Sequence, residues 1–399
     1  MKGGRGVNAV CGEIGVVLGI MDEKSYVCTW KTIKGVKMKK LIIALLVLGM
    51  MACHQPENTS LKVVEVDVNS ADYRKDEAAF KHFDFVKLDT VSEALLSDVS
   101  KVLVGEDRLY VLPMMDPRVF IFDGEGKYIH SLMRGQGPGE IRFVYDMDLL
   151  DGNLYVYDNY RTIRKYDKDG NFLEDVYTQD DYNLLMKVEK DQILLFDHYF
   201  NARQEHLLSV VTKDTILHYF PKRKEMESPF FLNMFYDDGY ISWPVSDTIY
   251  HYDARKMQPL PEYVVKFRHP NIYEAMQKET ITPERFNEIT MDDYHCKWLH
   301  NPVVYGDCLF FSFRYDKLYY VRYKEGKSSI YSTLVEGLPA LNVGARGRTG
   351  NQMIYAYSMP ALMEHKEELD SIPEGKLREL YDQVTDEVDN PILVFAELE

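Results

Sequence analysis

Six short runs with the composition of β-strands recur between residues 108 and 357, and this repetition limits the possible folds more than any other feature. The runs are rich in Leu, Tyr, Val and Phe, and successive starts are 45, 39, 47, 69 and 44 residues apart. They begin at Arg108 (RLYVLP), Asn153 (NLYVYD), Gln192 (QILLFD), Gly239 (GYISWP), Cys308 (CLFFSF) and Gln352 (QMIYAY). Such a period is typical of architectures in which each repeat is one supersecondary unit.

Each period holds the signals of four strands. A hairpin follows most of the runs, as in VFIFDGEGKYIHSL, where Asp-Gly supplies a turn that tolerates positive φ. Another alternating strand precedes them, as in VSKVLVGED. The sequence therefore predicts an all-β fold, a six-bladed β-propeller of four-stranded antiparallel blades. A two-sheet sandwich is the alternative, but it does not explain six repeats.

The sixth blade lacks one strand at the C-terminus. Its third strand is PILVFAEL (residues 391–398), after which the chain ends, and FDFVKLDT (residues 83–90) precedes blade one without a partner. We expect these two segments to pair, so that an N-terminal strand closes the ring and no sheet edge is left open.

Two segments break the strand rhythm and predict two small helical insertions. TPERFNEI begins with Thr282 as a helix cap, followed by Pro283. The second segment is SIPEGKLRELYDQVTDEV. Its apolar residues form one helical stripe: Leu377, Leu380, Tyr381, Val384 and Val388. Packing on a propeller face explains both helices, and docking to a partner is the alternative.

The stretch KMKKLIIALLVLGMMACHQPENTS, residues 37–60, has the parts of a secretory signal. Its apolar run is too short to cross a bilayer core, which needs about 20 residues. The segment before Cys53 resembles a bacterial lipobox, which implies cleavage before Cys53 and a lipid on its sulfur. A buried helix followed by an ordinary cysteine is the alternative.

These patterns predict four parts. We expect residues 1–37 to be a non-native segment upstream of the true start, residues 38–52 a lipoprotein signal peptide, residues 53–78 a tether and residues 79–399 the propeller. Residues 1–52 carry eight Lys or Arg against three Asp or Glu, so the remainder has a formal net charge near −21, compared with −16 for the whole chain. This acidity disfavours nucleic acid as a partner.

Cys296 and Cys308 are the cysteines left in the propeller, and a disulfide between them is one interpretation. The turn at residues 305–307 would instead hold them about 25 Å apart, at about 3.3 Å per strand residue. This distance favours two separate thiols.

The chain resembles the six-bladed propeller lipoproteins of Bacteroides-type bacteria, which are related to NHL-repeat propellers. FDFVKLDT, RLYVLP, VFIFDGEGKYIHSLMRGQGPGE and DNPILVFAEL carry the resemblance. It implies a propeller fold and a lipid-anchored location in the cell envelope, at the outer membrane, without an agreed activity or catalytic residues.

The search for chemistry finds no catalytic motif of the HExxH, GxSxG, CxxC or P-loop kind. DKDGN (residues 167–171) imitates the start of a calcium loop, but a hairpin turn explains it better. RGQGPGE (residues 134–140) has glycines that suit an anion, but no helix follows, so a structural loop is the preferred interpretation. We expect no metal or other cofactor.

In a propeller, the connections between blades and the loops joining second and third strands share one face. Ten side chains on this face are candidates for holding a carboxylate-bearing or sugar-like ligand by bidentate hydrogen bonds and stacking. They are Arg118, Arg134, Arg142, Tyr160, Arg161, His198, Tyr199, Trp243, Arg314 and Tyr315.

Two functions are compatible with these observations. The first is a lipid-anchored, monomeric binding or scaffold module for a glycan, peptide or envelope partner. The alternative is a lyase or hydrolase acting on a carbohydrate or lactone at the channel mouth. Since the loops offer one histidine, His198, and no evident metal cluster, binding is the preferred function.

Overall fold

The structure is a computed structural model. It describes residues 61–116, 118–158, 162–178, 185–197, 205–221, 235–243, 245–278, 282–341, 344–369 and 371–398. Three N-terminal strands precede the first blade: β1 (Lys62–Val66), β2 (Ala78–Phe80) and β3 (Phe83–Lys87).

Six antiparallel blades surround a central channel, and within each blade the strands follow one another from the channel outwards. Blade one contains β4 (Val99–Val104), β5 (Arg108–Pro113), β6 (Phe120–Asp123) and β7 (Tyr128–Ser131). Blade two contains β8 (Val144–Leu150), β9 (Asn153–Asp158), β10 (Thr162–Tyr166) and β11 (Phe172–Thr178). Blade three contains β12 (Leu185–Glu189), β13 (Gln192–Phe196), β14 (His206–Val211) and β15 (Ile216–Pro221).

The other three blades follow the same plan. Blade four contains β16 (Phe235–Asp237), β17 (Tyr240–Ser242), β18 (Thr248–Asp253) and β19 (Gln258–Phe267). Blade five contains β20 (Lys297–Tyr305), β21 (Cys308–Arg314), β22 (Leu318–Lys324) and β23 (Lys327–Tyr331), and a short strand, β24 (Thr333–Val335), follows it. Blade six contains β25 (Gly347–Thr349), β26 (Gln352–Tyr357), β27 (Ile392–Glu397) and β3.

The six repeated runs are the second strands of the six blades, as the spacing predicts. They are rich in apolar residues because the neighbouring blades cover both of their faces. In β5, for example, all residues except Arg108 are buried.

The predicted ring closure is confirmed. β3 pairs antiparallel with β27, with Phe85 opposite Val394. Asn390, which is fully buried, reinforces this junction: its side-chain amide donates to the carbonyls of Asp89 and Ala94 at 2.7 and 2.6 Å, and its oxygen accepts from the backbone N–H of Leu96 at 2.7 Å.

Residues 61–80 form a belt along the outside of the ring, which we call the N-terminal belt. β1 extends blade four by running parallel to its outer strand, β19. Tyr73 then forms a backbone bridge with Ile330 of blade five, and β2 runs parallel to β24. The belt thus connects blade four to blade five before the chain enters blade six as β3.

The prediction that residues 53–78 are a tether is wrong for residues 61–78. Val64, Val66 and Val68 are buried in the core beside blades four and five, so this segment is part of the folded body. Residues 53–60, like residues 1–52, lie outside the described residues.

Four short helices occur in the described part of the chain, of which two were predicted. They are α1 (Ile272–Lys278), α2 (Pro283–Met291), α3 (Met359–Glu367) and α4 (Lys376–Asp382). Thr282 caps α2 as expected, its hydroxyl accepting from the backbone N–H of Arg285 at 3.3 Å. α4 is shorter than the predicted stripe: Leu380 and Tyr381 are buried, but Val388 lies beyond the helix and is 71% exposed.

The two glycine-containing motifs form local turns. Asp167 accepts hydrogen bonds from the backbone N–H groups of Asp169 and Asn171, as expected for the β10–β11 hairpin. In RGQGPGE, the Glu140 carboxylate fills the space beside Gly135 and Gly137 and accepts from the N–H of Gly137 at 2.7 Å. The chain's own carboxylate therefore occupies the loop that the glycines could have offered to an anion.

Cys296 and Cys308 are free thiols, as predicted, and both are buried. Burial raises the pKa of the Cys296 thiol to about 12 and raises that of Cys308 as well. Both therefore remain protonated at neutral pH.

The belt provides a matched pair of substitutions in one strand. Val64 is fully buried, whereas its neighbour Val63 is 40% exposed. We expect Val64→Asn to lower the free energy of unfolding by about 2–4 kcal/mol, because it removes buried apolar surface and buries an amide. Val63→Asn should change it by less than about 0.5 kcal/mol. Urea unfolding of both variants measures the difference, and equal stabilities would contradict the packed belt.

Candidate functional site

The strand order assigns every loop to one end of the propeller. The loops joining second and third strands and the connections between blades share one end, which we call the upper face. The turns joining first to second and third to fourth strands lie at the opposite end, the lower face. Six of the ten predicted ligand-binding residues lie in the described part of the chain and are at the upper ends of strands or in upper-face loops: Arg118, Arg134, Arg142, Trp243, Arg314 and Tyr315. Tyr160, Arg161, His198 and Tyr199 lie outside the described residues, as does Cys53.

Two of the predicted residues, Arg118 and Arg134, line the same pocket on the upper face of blade one. The pocket has a volume of about 420 Å³. Its lining comes from the segment before β4, the β5–β6 loop and the connection that follows β7. The lining residues are Leu95, Ser97, Pro113, Met115, Asp116, Arg118 and Arg134. We call it the blade-one pocket.

Within the pocket, Asp116 and Arg118 are paired. The Arg118 Nε and Nη2 atoms donate to the two carboxylate oxygens of Asp116 at 2.9 and 2.6 Å, a bidentate geometry. The guanidinium also lies over the Phe120 ring, 4.7 Å from its centroid. Hydrogen bonds from Arg118 lower the pKa of Asp116, so this carboxylate is ionised at neutral pH.

The surroundings of Arg134 differ from those of Arg118. Its side chain is exposed and makes no hydrogen bond or ion pair with any residue that the structure describes. It is close enough to Asp116 to contribute to the lowered pKa of that carboxyl group. Because Asp116 already holds Arg118, the guanidinium of Arg134 keeps its donors available at the pocket wall.

Two strongly exposed apolar side chains line the same pocket. Leu95 is 60% exposed and Met115 81% exposed. Met114, Met133 and Phe143, from the adjoining loops, are also exposed. Large exposed apolar side chains that cluster beside polar groups commonly mark interaction sites.

The remaining predicted residues have other surroundings. Arg142 donates to the side chain of Gln136 at 3.2 Å. Trp243 belongs to the core, where its ring stacks on Tyr250 with centroids 5.4 Å apart. Tyr315 packs against the ring of His269 at 4.9 Å. These residues therefore do not extend the blade-one pocket, which contains two of the predicted arginines.

Arg314 lies close to two other basic residues in the first two strands of blade five, of which Lys297 is buried and His300 is half-buried. It pairs in register with Lys297, whose side chain is 1% exposed. Burial lowers the pKa of Lys297, and burial with the nearby Arg314 lowers the pKa of His300 to about 4. His300 is therefore neutral at pH 7, and sequence reasoning did not find this group.

Charged residues on the inner strands line the central channel. Lys101 of blade one contacts Asp146 of blade two at 2.8 Å, and Lys187 of blade three contacts Asp148 of blade two at 3.1 Å. The second oxygens of the same carboxylates accept from backbone N–H groups of β12, at Met186 and Val188. Asp146 and Asp148 thereby provide hydrogen-bond acceptors for backbone N–H groups at the channel-facing edge of β12.

A third ion pair joins two blades that are not neighbours. The Arg348 Nη1 atom of blade six lies 2.7 Å from the Asp237 carboxylate of blade four, which is not its neighbour in the ring. Tyr236, also of blade four, donates to Glu189 of blade three at 2.8 Å. Sequence reasoning missed these contacts, for which the available signal was the presence of polar residues in strands that are otherwise apolar.

The channel network predicts that breaking an ion pair with a buried carboxylate costs more stability than breaking a surface ion pair. Lys101→Met leaves the Asp146 carboxylate, 2% exposed, without its cation and should lower the free energy of unfolding by about 3 kcal/mol. Lys62→Met is the control, because its pair with Glu262 at 3.0 Å is on the surface and is worth less than about 1 kcal/mol. Urea unfolding at pH 7 compares them, and equal losses would contradict a buried charge.

The pH dependence of the Lys101→Met variant provides a further check. Burial raises the pKa of Asp146 even beside Lys101, so loss of the cation raises it further. The folded variant then takes up a proton at a higher pH than the unfolded chain does. As the pH falls through the folded-state pKa toward the unfolded value, part of the lost stability returns. A deficit that grows over this range would contradict the assignment.

Two further properties concern only the described residues. They contain no group of three or more His, Cys, Asp or Glu side chains arranged to hold a metal ion. None of their helices has both the length and the apolar character needed to cross a membrane.

Comparison with known proteins supports the fold. A family model described as "Domain of unknown function (DUF4934)" matches residues 61–397. A crystal structure of a protein from Bacteroides fragilis NCTC 9343, described as exported, is similar with a TM-score of 0.66 and 15% sequence identity, covering 85% of this chain and all of that one. At this identity the likeness concerns the fold alone.

A DUF4221 family member from Bacteroides vulgatus ATCC 8482 is more distant. It has a TM-score of 0.44 and 10% identity, and the match covers 81% of this chain and 98% of that chain. Among curated proteins, no match is found.

Proposed function

We propose that this chain, which belongs to the DUF4934 family, is a binding module of the bacterial cell envelope. In this proposal a lipid on Cys53 anchors the chain to the outer membrane. The propeller presents the blade-one pocket to a carboxylate-bearing glycan, peptide or envelope partner. A relationship to NHL-repeat propellers is part of the same proposal.

The observation that carries the proposal is the combination of Arg134 with the blade-one pocket. An arginine without a partner among the described residues, beside a concave site of about 420 Å³, is available to donate two parallel hydrogen bonds to a carboxylate. The neighbouring Asp116 accepts its side-chain hydrogen bonds from Arg118 and, among the described contacts, none from Arg134. Pockets of a few hundred cubic ångströms with few polar groups are typical of small-ligand sites.

The envelope location has two supports. Residues 37–60 have the order of charge, apolar run and cysteine expected of a lipoprotein signal. The similar protein from Bacteroides fragilis is described as exported.

The N-terminal belt shows at which face of the propeller the described part of the chain begins. β1 is parallel to β19, and β19 runs from the lower face to the upper face, where it leads into α1. The described part of the chain therefore begins near the lower face, and the blade-one pocket lies at the opposite face.

Lipidation of Cys53 has a direct test. Expression in a bacterial host with labelled fatty acid should give a product that carries the label and has lost the residues before Cys53. The variant Cys53→Ser should carry no label, because the thioether cannot form. Cys296→Ser is the control and should label normally, since that thiol is buried. Labelled Cys53→Ser protein would refute the anchor.

Binding at the pocket is tested by thermal shift with oligogalacturonates and with short peptides that have free C-terminal carboxylates. A ligand at 100 times its Kd stabilises the protein by about 2.7 kcal/mol. We expect at least one probe to raise the Tm of the wild-type protein and none to raise that of Arg134→Gln. Arg255→Gln, an exposed arginine on the lower face, is the control and should respond like wild type. A shift that survives Arg134→Gln would exclude this pocket.

A further inference from the structure

We infer that the ligand of the blade-one pocket is the C-terminal end of a peptide whose last residue has an aliphatic side chain. This inference rests on the proposed function and narrows its ligand class. It depends on which side chains line the pocket and on which of their polar groups are already in use.

The lining favours an aliphatic group over a sugar ring. Leu95, Pro113 and Met115 contribute apolar surface, and no aromatic ring is found among the described residues of the lining. Ser97 is the single hydroxyl there. A sugar would therefore find no ring in the described lining to stack on and few partners there for its hydroxyl groups. A Leu-like side chain would bury apolar surface at about 25 cal/mol per Å².

The charged side chains of the pocket favour a ligand with a single carboxylate. Arg118 has its Nε and Nη2 donors directed at Asp116, which leaves Arg134 as the available cation of the lining. The whole chain has a formal net charge of −16, so an anionic ligand needs a local cation of this kind. A C-terminal residue carries its carboxylate and its side chain on the same carbon, which suits a pocket where one cation adjoins apolar walls.

The size and rim of the pocket agree with a short peptide end. A volume of about 420 Å³ is near the lower limit for ligand sites, which favours a few residues over a long chain segment. Met114 and Met133, the chain neighbours of the lining residues Met115 and Arg134, are 50% and 68% exposed. Methionine side chains adapt to irregular apolar shapes, so they can cover the residues that precede the C-terminus.

The test is fluorescence polarisation with the purified full-length chain and a labelled Ala-Ala-Leu tripeptide. We expect the free acid to bind and the C-terminal amide to bind at least about tenfold more weakly, because a charge-assisted hydrogen bond is lost. Ala-Ala-Asn with a free carboxylate should also bind more weakly, since its side chain gains little from an apolar wall. A tripeptide amide ending in Glu, which has a side-chain carboxylate but no terminal one, distinguishes recognition of the two kinds of carboxylate.

Two pairs of variants locate the site. Arg134→Gln should weaken binding of the free acid at least about tenfold, with Arg255→Gln unchanged. Met115→Gln should weaken it severalfold, with Met291→Gln, an exposed methionine outside the pocket, unchanged.

The other outcomes separate the inference from the proposed function. If oligogalacturonate binds through Arg134 and the Leu peptide does not bind, the inference is overturned and the binding function stands. If neither acid binds, both are overturned. If the Leu peptide binds equally as acid and amide, or binds Arg134→Gln as well as wild type, the inference is overturned.

Discussion

The pairing of β3 with β27 is the interaction on which the ring depends, because it joins segments about 300 residues apart. Loop-closure entropy over this distance costs about 5 kcal/mol by the (3/2)RT ln n relation. Burial of Ile392, Leu393 and Val394, all fully buried, offsets this cost at about 1.5–3 kcal/mol each. Asn390 adds three hydrogen bonds between the termini. Closure therefore stabilises the ring that positions every upper-face loop.

Much of the fold could be predicted because its signals are local. Each hairpin carries its own turn, and each second strand is apolar because two neighbouring blades cover it. The same logic identified the closing strands, since alternation and an incomplete last blade were both visible in the sequence. The N-terminal belt could not be found in this way. Its strand β1 pairs in parallel with residues about 200 positions away, and KVVEVDV, with alternating charges, also suits a solvated segment.

The position of the candidate site could be predicted from the sequence, but the set of residues that form it could not. Topology alone assigned Arg118 and Arg134 to the upper face, and they share a pocket. Whether a loop arginine is paired depends on which carboxylate reaches it, and Asp116 reaches Arg118 by two hydrogen bonds. Sequence patterns could not show that Trp243 stacks in the core, because a Trp after a strand suits a binding platform equally well. Polar residues that alternate with apolar ones in the inner strands could have indicated the charged side chains that line the channel.

The negative charge of the protein surface and the charged side chains of the pocket act on a ligand over different distances. At physiological ionic strength the Debye length is about 8 Å, so most of the negative charge of the chain is screened from a ligand in the pocket. Asp116 lies within that range, and its pairing with Arg118 reduces its repulsion of an incoming carboxylate. The electrostatic interaction of a ligand with the pocket therefore depends more on Asp116, Arg118 and Arg134 than on the net charge of the chain. Long-range steering would not favour an acidic ligand, so its selection would rest on short-range contacts with Arg134 and the apolar wall.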